Sequence, residues 1–208
     1  MTAPAPEDSA AHMQAVDAAH RYRLLNHGPA VLVSARSRGV AGVMAAAWAC
    51  MLDFDKLSVV IDKSAATRAL LEESGHFAIQ VPTAAQAALV HWLGTHSLHD
   101  DAQKLAHAGV RLLEPPQSPP DAAPLVAGCA AWLSCRLLPE PRNQSVYDLF
   151  IGQITSAWAD ARIFDRGHWL FENAPPHWRS LHYVAGGHFY ATGEAVDVPE
   201  AVQPGRPA

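Results

Sequence analysis

Residues 63–68, Lys-Ser-Ala-Ala-Thr-Arg, put two cations and two hydroxyls at the start of an expected helix. A helix N-terminus carries free backbone N–H groups and the positive end of the helix dipole, so it suits an anion such as a phosphate. Arg68 is the informative residue. A cation in a helix's first turn is mildly unfavourable, on the order of 0.3–1 kcal/mol, and a bound anion would reverse that sign. The competing reading is a capped helix with a solvated arginine. Earlier in the chain, Met44-Ala45-Ala46-Ala47-Trp48 places small side chains where a strand usually carries bulk. Such alanines would let something flat approach the backbone, or would fill a tight core. Trp48 could pack on a flat ring or in the core.

Other chemistry is thin. His91, His96 and His99 straddle an expected helix end, with no carboxylate or cysteine in ligand register, so no metal is assigned. Neither a Ser/His/Asp nor a Cys/His nucleophilic arrangement is visible, and no Rossmann or Walker glycine pattern occurs. Lys104 reads as a solvated helix residue.

The elements that must position these residues follow from pattern. Ala30–Ala35 reads as a strand, Arg38-Gly39 as a turn, and Val40–Leu52 as one long strand. Leu57–Asp62 is the next strand. A helix then runs from about Ala65 to Ser74, with Ser64 as N-cap and Gly75 ending it. Phe77–Val81 is a strand stopped by Pro82. Thr83–Gln86 has the form of a capping box opening a helix to about Leu93. Asp100-Asp101 begins a third helix that Gly109 stops. Residues 114–124, with prolines at 115, 116, 119, 120 and 124, read as a surface loop. Ala131–Leu137 alternates, with Ser134 and Arg136 on one face. Tyr147–Trp158 reads as a long strand with Gly152 at a bend or bulge. Shorter strand material follows at 163–171, then Leu181–Thr192 around a Gly186-Gly187 turn. Strands flanking a helical middle imply a mainly β fold, a barrel with inserted helices.

The 208 residues fit a single domain over 21–193, with a flexible arm at 1–20 and a loose tail at 194–208. A net charge of −5 supplies no basic field for nucleic acid. The three cysteines, Cys50, Cys129 and Cys135, suit a reducing compartment. The first residues lack a signal-peptide pattern, and Val40–Leu52 is shorter than the ~20 residues of a membrane span. The expectation is a soluble, cytoplasmic protein.

From Tyr22 to Thr192 the chain resembles the flavin reductase-like family of the FMN-binding split barrel fold, which includes the flavoredoxin-type proteins. The resemblance rests on the order and spacing of Tyr22–Pro29, Val43–Trp48, Asp53-Phe54, Thr67 with Glu73–Phe77, Gln80–Pro82, Pro124–Val126 and Leu149–Gly152. The chain departs from the family where members usually carry Asn (Gly42 and Gln80) and where they often carry Thr or Ser (Ala45 and Ala47).

The resemblance implies FMN bound near a homodimer interface, with reduction by NAD(P)H as a transient co-substrate. It points to Met44, Ala45, Ala46, Ala47, Trp48, Lys63, Ser64, Thr67, Arg68, Gln80 and Ser97 as cofactor-binding residues. His182 and Tyr183 could reach the flavin, or form an ordinary aromatic strand end. No side chain is assigned a catalytic role, since hydride transfer is cofactor chemistry. The implied partners are a second copy and a flavin-dependent monooxygenase or other redox acceptor. Two alternatives stand beside the NAD(P)H-dependent enzyme. One is a flavoredoxin-like carrier without NAD(P)H oxidation of its own. The other is a split-barrel dimer that has lost flavin and is structural or binds haem.

Overall fold

The structure, a computed structural model, describes residues 9–116 and 122–198. The elements in chain order are β1 (Met13–Ala15), β2 (Val31–Ser37), β3 (Val40–Ala46), β4 (Ala49–Asp53), β5 (Lys56–Val60) and α1 (Ala66–Ser74). Then come β6 (His76–Val81), α2 (Ala87–Thr95), the short α3 (Lys104–His107), β7 (Leu112–Leu113), β8 (Leu125–Val126) and β9 (Ala131–Leu138). The chain continues through α4 (Pro141–Tyr147), β10 (Leu149–Asp160), β11 (Phe164–Asp165), β12 (His168–Trp169), β13 (Leu181–Ala185) and β14 (His188–Ala191).

An eight-stranded sheet runs in the order β3-β2-β6-β9-β10-β5-β4, with β1 added to β10. Its pairings are antiparallel, and the architecture is mainly β, a split barrel. Both faces of the central strands are buried. On one face Val31, Val33, Phe77, Ile79, Leu133, Cys135 and Phe150 form the larger core. On the other, Leu32, Ala78 and Trp132 meet Val90 and Leu93 of α2 with Leu125 and Val126 of β8. Strands covered on both sides read as near-continuous apolar runs, which is why alternation is weak in β2 and β6.

The β2–β3 hairpin turns at Arg38 (φ 48°) and Gly39 (φ 79°). Positive φ at both central residues is the type I′ geometry that matches strand twist. The run Val40–Leu52 is not one strand. It breaks at Ala47-Trp48, and its halves β3 and β4 are the two edges of the sheet. The break carries the chain from one edge of the barrel to the other, with Val60 N donating to Trp48 O.

Several other expectations are corrected. Met13–Ala15, placed in the loose arm, pairs with Asp160–Trp158 of β10. Tyr147 belongs to α4, whose first turn carries Pro141, a good N1 residue. Gly152 is not the bulge; the β9–β10 register shifts between Ile154 and Ser156. Gly152 is small because a Cβ there would stand 2.3 Å from the Phe77 ring. The third helix starts only at Lys104, since Asp101 instead accepts from Gln103 N. Pro115 and Ala122–Pro124 are buried rather than part of a surface loop, while Pro119 and Pro120 lie outside the described residues. Of the tail, 199–208 also lies outside them, and Glu194 pairs with Arg179. No helix among the described residues is long and apolar enough to cross a membrane.

Candidate functional site

Two cavities meet on the outer side of β3, sharing Ala45, Gly94 and Thr95. Gly94, near the end of α2, leans over Ala45; a Cβ on it would lie 3.4 Å from the Ala45 methyl. A glycine in a helix costs about 1 kcal/mol against alanine. Here it keeps the neck between the cavities open.

The larger cavity, about 250 Å³, is polar and lies between the start of α1 and the segment after α2. Met44, Ala45, Ser64, Thr67 and Ser97, all expected to bind the cofactor, line it together with Asp62, Asp100 and Lys104. The local turn differs from expectation. Ser64 does not cap α1; its N–H and hydroxyl both donate to the Asp62 carboxylate, at 2.8 and 2.6 Å. These bonds hold the Asp62 carboxyl below its ordinary range. The N-cap position falls to Ala65, and no side chain caps the helix. Arg68 N donates to Ala65 O at 3.0 Å, and the N–H groups of Ala66 and Thr67 are left for water or a ligand beside the cavity.

Lys104 completes this end, and sequence reasoning missed it. Its side chain is buried, with 2% of the residue exposed, and it lines the polar cavity. The ammonium donates to Leu93 O, in the last turn of α2, at 2.9 Å. That carbonyl is at the negative end of the helix dipole, which favours the cation. Burial pulls its pKa below the ordinary lysine value. Nothing in the stretch Lys-Leu-Ala-His distinguishes it from a surface turn; its burial arises from α3 folding under the end of α2.

Arg68, the cation that the sequence favoured, turns the other way. Its guanidinium pairs with Asp148 and with Glu72, donates to Gln144 O at 2.8 Å and lies over the Phe150 ring. It ties α1 to α4 and lines neither cavity. Lys63 is exposed and also outside both. Gln80 is a core residue: its amide donates to Ser34 Oγ and accepts from Val126 N, so no part is free for a ligand. A Cβ at Gly42 would lie 2.9 Å from Leu70 and 3.1 Å from Leu98. These leucines occupy the space that a side chain would take.

The smaller cavity, about 140 Å³, is apolar. Ala30, Ala46, Ala47 and Val90 form its floor, and Tyr183 and Phe189 of the β13–β14 hairpin cover it. At the tip, Gly187 sits against His91, where a Cβ would come within 3.2 Å of the imidazole. β3 is an edge strand paired only with β2, so its outer row of backbone N–H and C=O groups remains open beside this cleft. Trp48 is 75% exposed and lines neither cavity. His182 is turned to the hairpin's base, with Nδ1 3.1 Å from Gly28 O.

The cleft thus has a polar end, where Lys104, Thr67 and Ser97 stand with the Asp62 and Asp100 carboxylates, and a flat apolar end. Residues 22–194 match the Flavin reductase like domain. The chain belongs to the flavin reductase-like family. It is 36% identical over 182 residues to the uncharacterised protein YddH of Escherichia coli K12, covering 85% of this chain and 93% of that one. It is 56% identical to a Shewanella baltica protein described as an FMN-binding domain of a flavin reductases-like enzyme. That structure superposes with a TM-score of 0.87, covering 90% of this chain and 97% of that one. Flavoredoxin of Desulfovibrio vulgaris shares the fold at a TM-score of 0.69 and 21% identity, over 84% of this chain and 91% of that one.

Within this family the residues present fit a flavin nucleotide. Lys104 and the uncapped α1 terminus suit a phosphate, and the alanines under Tyr183 and Phe189 suit a flat ring.

Proposed function

We propose that this chain is an FMN-binding oxidoreductase that takes hydride from NAD(P)H. The phosphate would lie in the polar cavity and the isoalloxazine ring in the apolar one, with the sugar chain passing over Ala45. One observation carries this reading: the buried ammonium of Lys104 and the uncapped start of α1 line the same cavity. Asp62 and Asp100 also line the cavity, but neither bonds to Lys104, whose ammonium has only Leu93 O as a hydrogen-bond partner among the described residues, so an anionic ligand would supply a counter-charge.

When bound, FMN supplies hydride acceptance and onward electron transfer. The chain's residues do the rest. Lys104, Thr67 and Ser97 hold the anionic end. The open edge of β3 offers N–H and C=O groups to a ring edge, and Ala45, Ala46 and Ala47 allow close approach. Tyr183 and Phe189 exclude water from the apolar end. A second copy is proposed to meet the β4 edge, where Trp48, Leu52 and Phe54 are exposed. A flavin-dependent monooxygenase or another redox acceptor would receive the electrons.

One observation favours the second reading, a flavoredoxin-like carrier: no lysine or arginine lines the apolar cavity. A dinucleotide docking over the ring would find no cation there for its pyrophosphate. The test is a spectrum of the protein with added FMN, followed by anaerobic NADH and NADPH. Uptake of flavin and bleaching by either nucleotide supports the reductase. Uptake without bleaching supports the carrier, and no uptake of FMN overturns both.

A further inference from the structure

The base of the β13–β14 hairpin hangs on a chain of hydrogen bonds that begins at His27. His27 Nε2 is 2.8 Å from Ser180 Oγ, which is 2.6 Å from Thr192 Oγ1, which is 3.4 Å from His182 Nε2. His182 Nδ1 faces Gly28 O at 3.1 Å. A carbonyl only accepts, so Nδ1 of His182 must carry a proton and donate. With His182 neutral, its Nε2 can accept from the Thr192 hydroxyl, for which Ser180 O, also at 3.4 Å, is the competing acceptor. Thr192 then accepts from Ser180, and Ser180 accepts from Nε2–H of His27. The chain runs one way and closes with both imidazoles neutral.

Nδ1 of His27 is left over. It is buried without a hydrogen-bond partner. The rings of Trp169, Phe171 and His182 stand around it at 5.4, 5.7 and 6.0 Å. A second proton on His27 has no other atom to occupy, and it would be a buried donor with nothing to bond.

Ser180 and Thr192 are the two feet of the hairpin. Thr192 N donates to Ser180 O at 2.9 Å, and Ala30 N donates to Leu181 O at 2.7 Å. From those feet the strands carry Tyr183 and Phe189 over the apolar cavity. Building on the flavin reading above, we propose that the His27–Ser180–Thr192–His182 chain is a proton-sensitive latch. It holds the hairpin over the ring end of the site, and protonation of His27 releases it.

The groups facing His27 leave the proton uncompensated. His182 comes from β13, Trp169 from β12, and Phe171 from the 3₁₀ turn Phe171–Asn173. Arg179, next to Ser180, donates to Thr192 O at 3.4 Å and pairs with Glu194 at 3.2 Å. Among the described residues no hydrogen bond or ion pair joins a carboxylate to His27. Burial, then the neighbouring His182, lowers the His27 pKa from 6.5 to about 4. Opening the hairpin would take His182 and Ser180 away from His27 and raise this value toward the ordinary one, so opening takes up a proton. Between those two values the opening equilibrium grows by up to about tenfold per pH unit of acidification.

The test is amide hydrogen exchange of β13 and β14 at about pH 7 and about pH 5, corrected for intrinsic rates, in the wild type and in His27→Gln. Glutamine can still donate to Ser180 but does not titrate. The wild-type hairpin is expected to lose protection by about tenfold or more relative to β6 and β9, with His27→Gln nearly flat. His91, His182 and His188 remain in both proteins, so the difference isolates His27. Equal pH responses, or an unchanged wild-type hairpin, overturn the latch. If His27→Gln does not fold, Ser180→Ala breaks the next link; it is expected to leave the hairpin poorly protected already at neutral pH, and full protection overturns the latch. FMN titration of the same samples reads the site: affinity is expected to fall with hairpin protection in the wild type alone. No FMN binding at neutral pH would overturn the flavin reading, while the exchange data would still decide the latch.

Discussion

Two cations distinguish anchoring from ligand binding. Arg68 has its donors committed to Asp148, Glu72 and Gln144, with 12% of its side chain exposed. Lys104 has one protein partner, Leu93 O, and faces the polar cavity. Lys104→Met is therefore expected to raise the FMN dissociation constant by about 10- to 100-fold, the value of a charge-assisted hydrogen bond. Stability should hold, because the variant no longer buries an amine. Arg68→Ala should do the reverse: it should cost about 1–3 kcal/mol of stability by stranding Asp148, with FMN affinity little changed. Flavin fluorescence titration and urea unfolding read the two effects separately, and a larger affinity loss in Arg68→Ala would reverse the assignment. His27 gives a second expectation. Its pKa is about 4 folded against 6.5 unfolded. Between these values the unfolded chain binds more protons, so acidification favours unfolding. The loss begins as pH falls through the unfolded value, levels off near the folded one and amounts to at most about 3 kcal/mol. Urea unfolding across this range should show the slope in the wild type and a reduced slope in His27→Gln; equal slopes would remove His27 as its source.

Elements were legible in sequence where local chemistry dictates them. The Thr83/Gln86 capping box forms reciprocally, Gly75 takes its left-handed cap at φ 69°, and the Gly186-Gly187 turn joins β13 to β14. What escaped depends on residues far apart in the chain. Val40–Leu52 looks like one strand because nothing local reports that β3 and β4 are opposite edges of a sheet. Lys104 looks solvated because its carbonyl partner lies on another helix. Arg68 looks available because Asp148 is brought to it by α4, itself unread in sequence. Of the residues expected to bind the cofactor, Met44, Ala45, Ser64, Thr67 and Ser97 line the polar cavity and Ala46 and Ala47 the apolar one, with Tyr183 beside them; Ser97 rested on the family resemblance, the others in the loop and the alanine strand on local chemistry as well. Gly152 shows the same limit. Its smallness was read as backbone bending, whereas the Phe77 ring occupies the Cβ position at 2.3 Å. Gly152→Ala must displace that ring in the core, an overpacking cost of about 1–3 kcal/mol. A drop in melting temperature of several degrees checks this, and an unchanged transition would mean that the ring moves freely.

At the scale of the molecule, the sheet has two edges with different fates. β3 is covered by α2 and the cleft, while Leu52 of β4 and the flanking Trp48 and Phe54 are 53%, 75% and 67% exposed. An edge strand with large apolar side chains invites pairing unless something covers it. Trp48 also sits at the break between β3 and β4, directly after the alanines that line the cleft. A second copy over β4 would thus bury the exposed tryptophan and approach the ring end of the site together. Stable association needs about 800 Å² per partner, more than one strand edge supplies, so the contact must extend to Tyr22 and its neighbours. Tyr22 already packs edge-on against Phe54 at 5.2 Å. Sedimentation at micromolar concentration is expected to give a dimer. Leu52→Asp, which lies outside both cavities, is expected to give a folded monomer whose FMN affinity falls by about tenfold or more if the partner closes the site. A monomeric wild type would remove the second copy from the proposal, and a monomeric Leu52→Asp that keeps full affinity would show that each chain holds its flavin alone.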